Sequence, residues 1–533
     1  MKLRQPHTIC LEQVARQTTA SLWPSARKRQ TLQQATRPLS TQTACTRPQC
    51  RRISRPGSNL RSYATVSAAD MLFGQPVHET HPHLLSAGQL TPGITAQEYY
   101  DRRCALAAAL PADSAAVLRA ADFKFRSGAV FFPFRQESDF FYLTGFNEPD
   151  AVAVLRKTGP DPGDCVFSLL VRPKDPRAEQ WNGPWSGVDA ARDVFNADEA
   201  GNIGNINVLL PKMLRGVRAV YTNAEVDVAP SSSAALTAFR AKPIKTLMEE
   251  AGVSRVHNLT PVVAQQRAIK SMAEIANMRK AGRLSGRALT DAMRRAWTRE
   301  KDLAAFLDYR FHFEDGDGIA YVPVVAGGAR GTLIHYVLNN AALHDGETVL
   351  VDAGGEYGSY IADITRTWPI SGRFSPAQRD LYEAVLRVQR SSVSLCRAAG
   401  GMSLDQIHRV TSDGLRKELG KIGFDFGYGI VSDPLAVLFP HHVGHYVGLD
   451  VHDTPSIPRH TPLKVGHCVT VEPGIYVPDD TRWPACFRGM AVRIEDSICV
   501  GEDDPYILTT EAVKEVVDIE ALRDIESENQ KAV

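Results

Sequence analysis

Residues 348–367, TVLVDAGGEYGSYIADITRT, decide how the rest of this chain is read. An apolar Val349-Leu350-Val351 run leads into Asp352, and Gly354, Gly355 and Gly358 permit a tight reversal before Ile361-Ala362-Asp363-Ile364. Two paired strands would then set both carboxylates on one face. Two aspartates beside glycines are commonly turn formers, so the weight falls on three segments nearer the C-terminus. FPHHVGHYVGLDVHD (439–453) holds His441, His442, His445 and His452, interleaved with Asp450 and Asp453. Glu472 follows Val469-Thr470-Val471, and Glu495 follows Val492-Arg493-Ile494. A carboxylate inside a β run is costly to bury unless it is paired or metal-bound. Asp352, Asp363, His445, Glu472 and Glu495 are four hard carboxylates and one imidazole. That set suits two divalent, oxygen-preferring metals better than one tetrahedral zinc. Two such ions, roughly 3.5–4 Å apart, can cleave a peptide bond without a nucleophilic side chain.

Other chemistries find less support. His441 and His445 have the spacing of the two histidines in H-E-x-x-H, but His442 stands where the glutamate is required. Gly444 and Gly448 also weaken a helix there. Salt bridges from Glu495 to Arg493 or Arg488 are the competing account of that carboxylate. No G-x-S-x-G elbow, P-loop or well-placed G-x-G-x-x-G occurs. His312, His408, His460 and His467 read as surface or satisfied core residues, and His442 has no assigned role.

At 533 residues the chain exceeds what one core can hold, so two domains or more are expected. Hydrophobic residues make up 44% and charged residues 23%, as in ordinary globular proteins. No apolar run approaches the roughly 18–20 residues needed to span a bilayer. The formal net charge of +1 conceals an asymmetry. Twelve of the 61 Lys/Arg but only one of the 60 acids precede Ala64, leaving 49 basic against 59 acidic residues. An acidic body argues against nucleic acid as a partner. The nine cysteines include no C-x-x-C pair and read as reduced thiols.

Residues 1–63, rich in Arg, Ser, Thr and Gln, have the composition of a mitochondrial transit peptide; a basic tail binding an acidic partner is the alternative. The leader ends in Arg61-Ser62-Tyr63-Ala64, and a cut two residues after Arg61 would leave Tyr63 first. Residues 64–87 read as an extended linker. TAQEYYDRRCALAAAL predicts a helix capped by Thr95. SAAVLRAA, AVFFPF, SDFFYLTG, AVAVLRKTG and CVFSLLVRP predict strands, giving an α/β domain over 88–262. A second domain, 263–520, opens with a helix from Ser271 to Trp297. It continues with strand-like GIAYVPVVAGG, TLIHYVLNN and ETVLVDAGGEYGSYIADITRTW, helices in PAQRDLYEAVLRVQRSSVSLCRAAG and LDQIHRVTSDGLRKELGKIG, then GHCVTVEPGIYV and AVRIEDSICV as strands. Residues 521–533 read as a frayed tail.

The ordered set DAG…DITRT…HYVGLDVHD…TVEPG…RIED resembles the pita-bread metallopeptidases of the Xaa-Pro aminopeptidase branch. PFRQESDFFYLTGFNEPDAV resembles that branch's N-terminal domain, and the leader resembles the mitochondrial members. The resemblance covers nearly everything from Gly88 to Ile519. It implies an N-terminal α/β aminopeptidase P domain followed by a curved antiparallel sheet backed by helices, an α+β catalytic domain. It also implies two divalent ions, manganese foremost, with cobalt and zinc sharing such ligands. Asp352 would be a bidentate ligand of one, His445 and Glu472 would hold the other, and Asp363 and Glu495 would bridge. A water between them would attack the first residue's carbonyl, with Glu472 shuttling its proton. His335 would contact substrate and help stabilise the tetrahedral intermediate. His452 would hydrogen-bond near the scissile carbonyl or leaving nitrogen, His441 would line the pocket for the residue after the cut, and Arg493 would orient ligands. The implied activity is removal of one N-terminal residue, Tyr, Phe or Leu, from imported proteins in the mitochondrial matrix after presequence cleavage. The alternative is an Xaa-Pro aminopeptidase or prolidase; a third reading, a binding module without catalysis, conflicts with the intact ligand set. Peptide and protein N-termini are the expected partners, with no nucleic acid, no stable membrane insertion, and a homodimer.

Overall fold

Alternating small and branched apolar residues in three runs build the first layer. In the computed structural model, which describes residues 74–224, 241–427 and 433–531, Ser114–Arg119, Val152–Lys157 and Cys165–Val171 are central strands of a six-stranded mixed sheet. Its order is 255–258, 219–222, 114–119, 152–157, 165–171, 199–202. Successive side chains leave opposite faces of a strand. Ala116, Leu118, Ala153 and Leu155 therefore pack with Tyr99 and Leu106 of the helix Ala96–Ala109. Ala115, Val117, Val152 and Val154 pack with Leu210 and Leu247 from helices Ile206–Met213 and Ile244–Glu250. Thr95 caps the first helix as expected, accepting from the Glu98 amide. The leader and residues 64–73 lie outside the described residues.

The C-terminal half is made of antiparallel ladders: 324–327 with 348–352 and 365–369, 468–471 with 496–499 and 506–507, 474–476 with 491–493, and 318–319 with 355–357 and 360–361. Helices Met272–Met293, Pro376–Ser394 and Leu404–Lys421 back them, each opened by a capping box from Ser271, Ser375 and Ser403. Strand alternation then sorts the site from the core. Val349, Val351, Ile364, Val469, Val471, Val492 and Ile494 enter one large apolar cluster with Leu289, Leu381 and Val385. Asp352, Asp363, Glu472, Arg493 and Glu495 have the opposite parity and share the other face.

Several local expectations are corrected. SDFFYLTG is a buried helix, Ser138–Thr144, begun by Glu137 accepting from the Phe140 amide and ended by Gly145 at φ 66°. AVFFPF contributes only Val130–Phe131, paired with Phe125–Ser127 in a solvent-exposed hairpin. TLIHYVLNN is no strand; its Asn339 side chain bonds the Val325 amide and the Pro323 carbonyl instead. Residues 74–87 are not an extended linker: Gln75, Val77 and Leu85 are buried, and Gln75 Nε2 donates to Gly145 O at 2.9 Å. The frayed tail is also wrong, since the helix Val516–Lys531 runs through it, with Leu522 in the core and Arg523 donating to Arg294 O and Ile370 O.

Candidate metal centre

Two glycines bring the acidic segments together. A Cβ on Gly354 would stand 1.8 Å from Ala362 O, and one on Gly444 would stand 1.9 Å from Thr470 O. Only glycine tolerates such approach. The first contact lays the chain after Asp352 against the residue preceding Asp363. The second lays His445 beside the strand leading to Glu472, where Thr470 N donates to His445 O and Glu472 N to Val443 O, both at 2.8 Å. The turn expected between Asp352 and Asp363 falls at Gly358-Ser359, between strands 355–357 and 360–361. Asp352 instead pairs in register with Thr365.

The five expected ligands converge. Atoms of Asp363, His445 and Glu495 all lie within 4.8 Å of one another. His445 Nε2 is 3.5 Å from Asp363 Oδ2 and 3.5 Å from Glu472 Oε1. The Tyr321 hydroxyl lies 2.7 Å from Asp352 Oδ1 and 2.6 Å from Asp363 Oδ1, its one proton shared between the two carboxylates. Arg493 is fully buried and pairs with Asp352, while its Nε donates to Thr365 Oγ1 and its Nη1 to Tyr476 OH. The competing salt bridges do not form: Arg493 takes Asp352, and Arg488 bonds carbonyls of Trp483 and Thr481.

Burial pushes the Asp363 carboxyl up to about 7, with repulsion from Asp352 adding to it. Burial likewise lifts Glu472 to about 7, against the pull of Arg493, and raises Glu495 well above the carboxylate range with help from Asp363 and Glu472. Four carboxylates thus face the buried Arg493 guanidinium, with Arg459 acting more weakly on Glu472. His445 sharpens the deficit. Its Nδ1 donates to Tyr446 O at 3.0 Å, which turns Nε2 toward Asp363 and Glu472. That arrangement calls for a cation between them, and hard oxygens with one imidazole match a divalent ion.

His335, His441, His445, His452 and Glu472 line a cavity of about 430 Å³. The ring of His452 stands perpendicular to that of His445, centroids 4.4 Å apart. His441 Nδ1 donates to His442 O, leaving Nε2 to accept from Tyr476 OH, each at 2.8 Å. Burial and then Arg493 push His441 down to about 4, keeping it neutral. No helix forms over 439–445, in keeping with the failed H-E-x-x-H reading. Tyr321 and Tyr476 escape sequence reasoning; a lone tyrosine in GIAYVP or GIYV carries no distinguishing pattern.

This fold, with an acid-lined cleft at the centre of antiparallel ladders, defines a metallopeptidase of the pita-bread type. Residues 276–502 match metallopeptidase family M24, and residues 99–221 match the aminopeptidase P N-terminal domain. The chain belongs to family M24 and is a metalloaminopeptidase, dependent on divalent metal ions. It is 44% identical to intermediate cleaving peptidase 55 of Saccharomyces cerevisiae over 84% of this chain and 88% of that one. It is 38% identical to human Xaa-Pro aminopeptidase 3 over 84% of this chain and 90% of the relative. The crystal structure of the S. cerevisiae Icp55 bound to the inhibitor apstatin superposes with a TM-score of 0.70 at 40% identity, covering 82% of this chain and all of that one. Among the described residues no helix is long and apolar enough to cross a membrane.

Proposed function

We propose that the protein removes a single bulky residue, such as Tyr, Phe or Leu, from the N-termini of imported mitochondrial proteins after presequence cleavage. The observation carrying this reading is the under-neutralised cluster of Asp352, Asp363, Glu472 and Glu495 around His445, at the wall of a cleft, in a chain similar to intermediate cleaving peptidase 55. Those five residues would hold two divalent ions, manganese foremost on the hardness of the donors. Bound ions would supply the Lewis acidity that polarises a carbonyl and acidifies water. The chain's own groups do the rest. Arg493 fixes Asp352, Thr365 donates to Glu495 Oε2 at 2.6 Å, and Thr470 donates to Glu472. Glu472 would accept the proton of the attacking water. His335 and His452 flank the cavity where a substrate carbonyl would lie, and neutral His441 would wall the residue after the cut. The matrix location, a homodimer and the division at residues 88–262 and 263–520 belong to the same proposal. So does processing of the chain's own Tyr63-Ala64 bond, for which a mature protein beginning at Tyr63 would be the contrary result.

A second reading, a proline-specific aminopeptidase or prolidase, is supported by the similarity to Xaa-Pro aminopeptidase 3. The peptides Tyr-Ala-Thr-Val-Ser-Ala and Tyr-Pro-Thr-Val-Ser-Ala, incubated with and without manganese, separate the two. Metal-dependent release of Tyr from the first supports presequence trimming; release from the second alone overturns it.

A further inference from the structure

His442 is the cleft histidine that the proposed reaction leaves without a task. Its ring is held on three sides. Nδ1 lies 3.0 Å from Gly444 O and Nε2 lies 3.2 Å from Asp405 Oδ1. One face stacks on His408, centroids 4.5 Å apart at 17°, and His408 is backed in turn by Phe439. Asp405 sits in the first turn of the helix Leu404–Lys421, which Ser403 and Gln406 cap reciprocally. Its own amide donates to Arg459 O at 3.2 Å. The ring is therefore anchored to a helix end rather than to a loose loop. The surface it has left lines the same cavity as His441 and His445, beside Leu404 and Ile457.

A ring packed against Gly444 O, the Asp405 carboxylate and the His408 ring cannot swing aside without giving up those contacts. It is a fixed wall, and a fixed wall excludes rather than adapts. The geometry points to His442 as a specificity-determining residue that limits the size of the residue following the cut. Small side chains such as Ala fit against it, and large ones meet the imidazole. This rests on the proposed reading of His441, its neighbour, as lining that subsite. The Tyr63-Ala64 bond of the chain itself has a residue of the admitted size.

The test is a ratio of kcat/KM values, measured on the full chain with manganese, for Tyr-Ala-Thr-Val-Ser-Ala over Tyr-Phe-Thr-Val-Ser-Ala. The wild type should favour the first peptide by about tenfold or more, the scale on which pockets discriminate side-chain size. His442→Ala should reduce that ratio about tenfold through a gain on the Phe peptide. Asp405→Ala, which keeps the ring but removes the partner of its Nε2, should move the ratio the same way by less, and serves alone where His442→Ala does not fold. A ratio unchanged in the variants, or equal losses on both peptides, overturns the size limit and leaves His442 a structural support. A wild type that releases Tyr from neither peptide defeats the trimming reading itself, and this inference with it.

Discussion

Two clusters of buried charge each draw part of their residues from the 439–495 segment, and they are completed in opposite ways. Around Asp453, Arg267 pairs with Asp139 and Asp450, each at 2.6 Å, and with Asp453, while Lys270 Nζ reaches Asp453 at 2.8 Å. Burial opposes charge on Asp453, yet Lys270 and Arg267 outweigh it and hold its carboxyl below the usual range. Around His445, burial wins: Asp363 and Glu472 rise to about 7, and Glu495 is pushed well above the usual carboxylate range. The first cluster supplies its own cations. It ties the helix Ser138–Thr144 and the helix Thr260–Ala268 to the loop that ends in His452, and so acts on folding and positioning. The second has the Arg493 guanidinium against four carboxylates, and that shortage of positive charge is its function, since acids left under-compensated are what a metal site consists of.

The difference can be broken from either side. The largest effect is expected from Asp363→Asn, which should lower kcat/KM about 10³-fold or more, a loss of several kcal/mol of transition-state stabilisation. Its metal-free form should unfold at a temperature equal to or above that of the metal-free wild type, because one poorly compensated charge has gone. Arg267→Met should do the reverse in kind, destabilising by about 3–5 kcal/mol by leaving the buried Asp139 without this cation and Asp453 with Lys270 alone. Urea unfolding should give the same loss with and without chelator. The sign with pH is set by the depressed carboxyl of Asp453. Its contribution is complete above the ordinary carboxylate pKa and disappears as pH falls through the lower folded value. The deficit of Asp453→Asn against wild type should therefore be full at neutral pH and shrink only in acid.

Smaller effects sharpen the same contrast. Manganese at about 100 times its Kd should stabilise the wild type by about 2.7 kcal/mol, and calorimetry should show that gain lost in Asp363→Asn and kept in Arg267→Met relative to its own metal-free form. Arg493→Lys keeps a charge but not the fork that serves Asp352, Thr365 and Tyr476. Metal affinity or activity should fall about 10–100-fold. Tyr321→Phe, which removes a single hydroxyl shared by Asp352 and Asp363, should stay near the lower end of that range in a metal titration.

The two clusters also differ in how well they can be read from the chain. The ligands are legible because each carboxylate interrupts an apolar strand, and alternation with Val349, Val351, Val469, Val471, Val492 and Ile494 forces them onto one face. The ion network is not, because Asp139, Arg267 and Asp453 are brought together only by tertiary packing. Tyr321 reaches Asp352 and Asp363 for the same reason, from a segment without a pattern. SDFFYLTG reads falsely as a strand because the short apolar run Phe140-Phe141-Tyr142-Leu143 is ambiguous between strand and buried helix. Its signals are Glu137 at the start and Gly145 at the end, and both are capping signals rather than periodic ones. TLIHYVLNN misleads through β-rich composition, although Asn339-Asn340 hold it as a loop by side-chain bonds.

The most direct test of the central claim is the number of metal ions bound per chain, measured by inductively coupled plasma mass spectrometry on full-length protein equilibrated with manganese. The account predicts two ions per chain in the wild type, one or none in Asp363→Asn, and activity that tracks occupancy. Full activity in chelator-treated protein carrying no metal would contradict it.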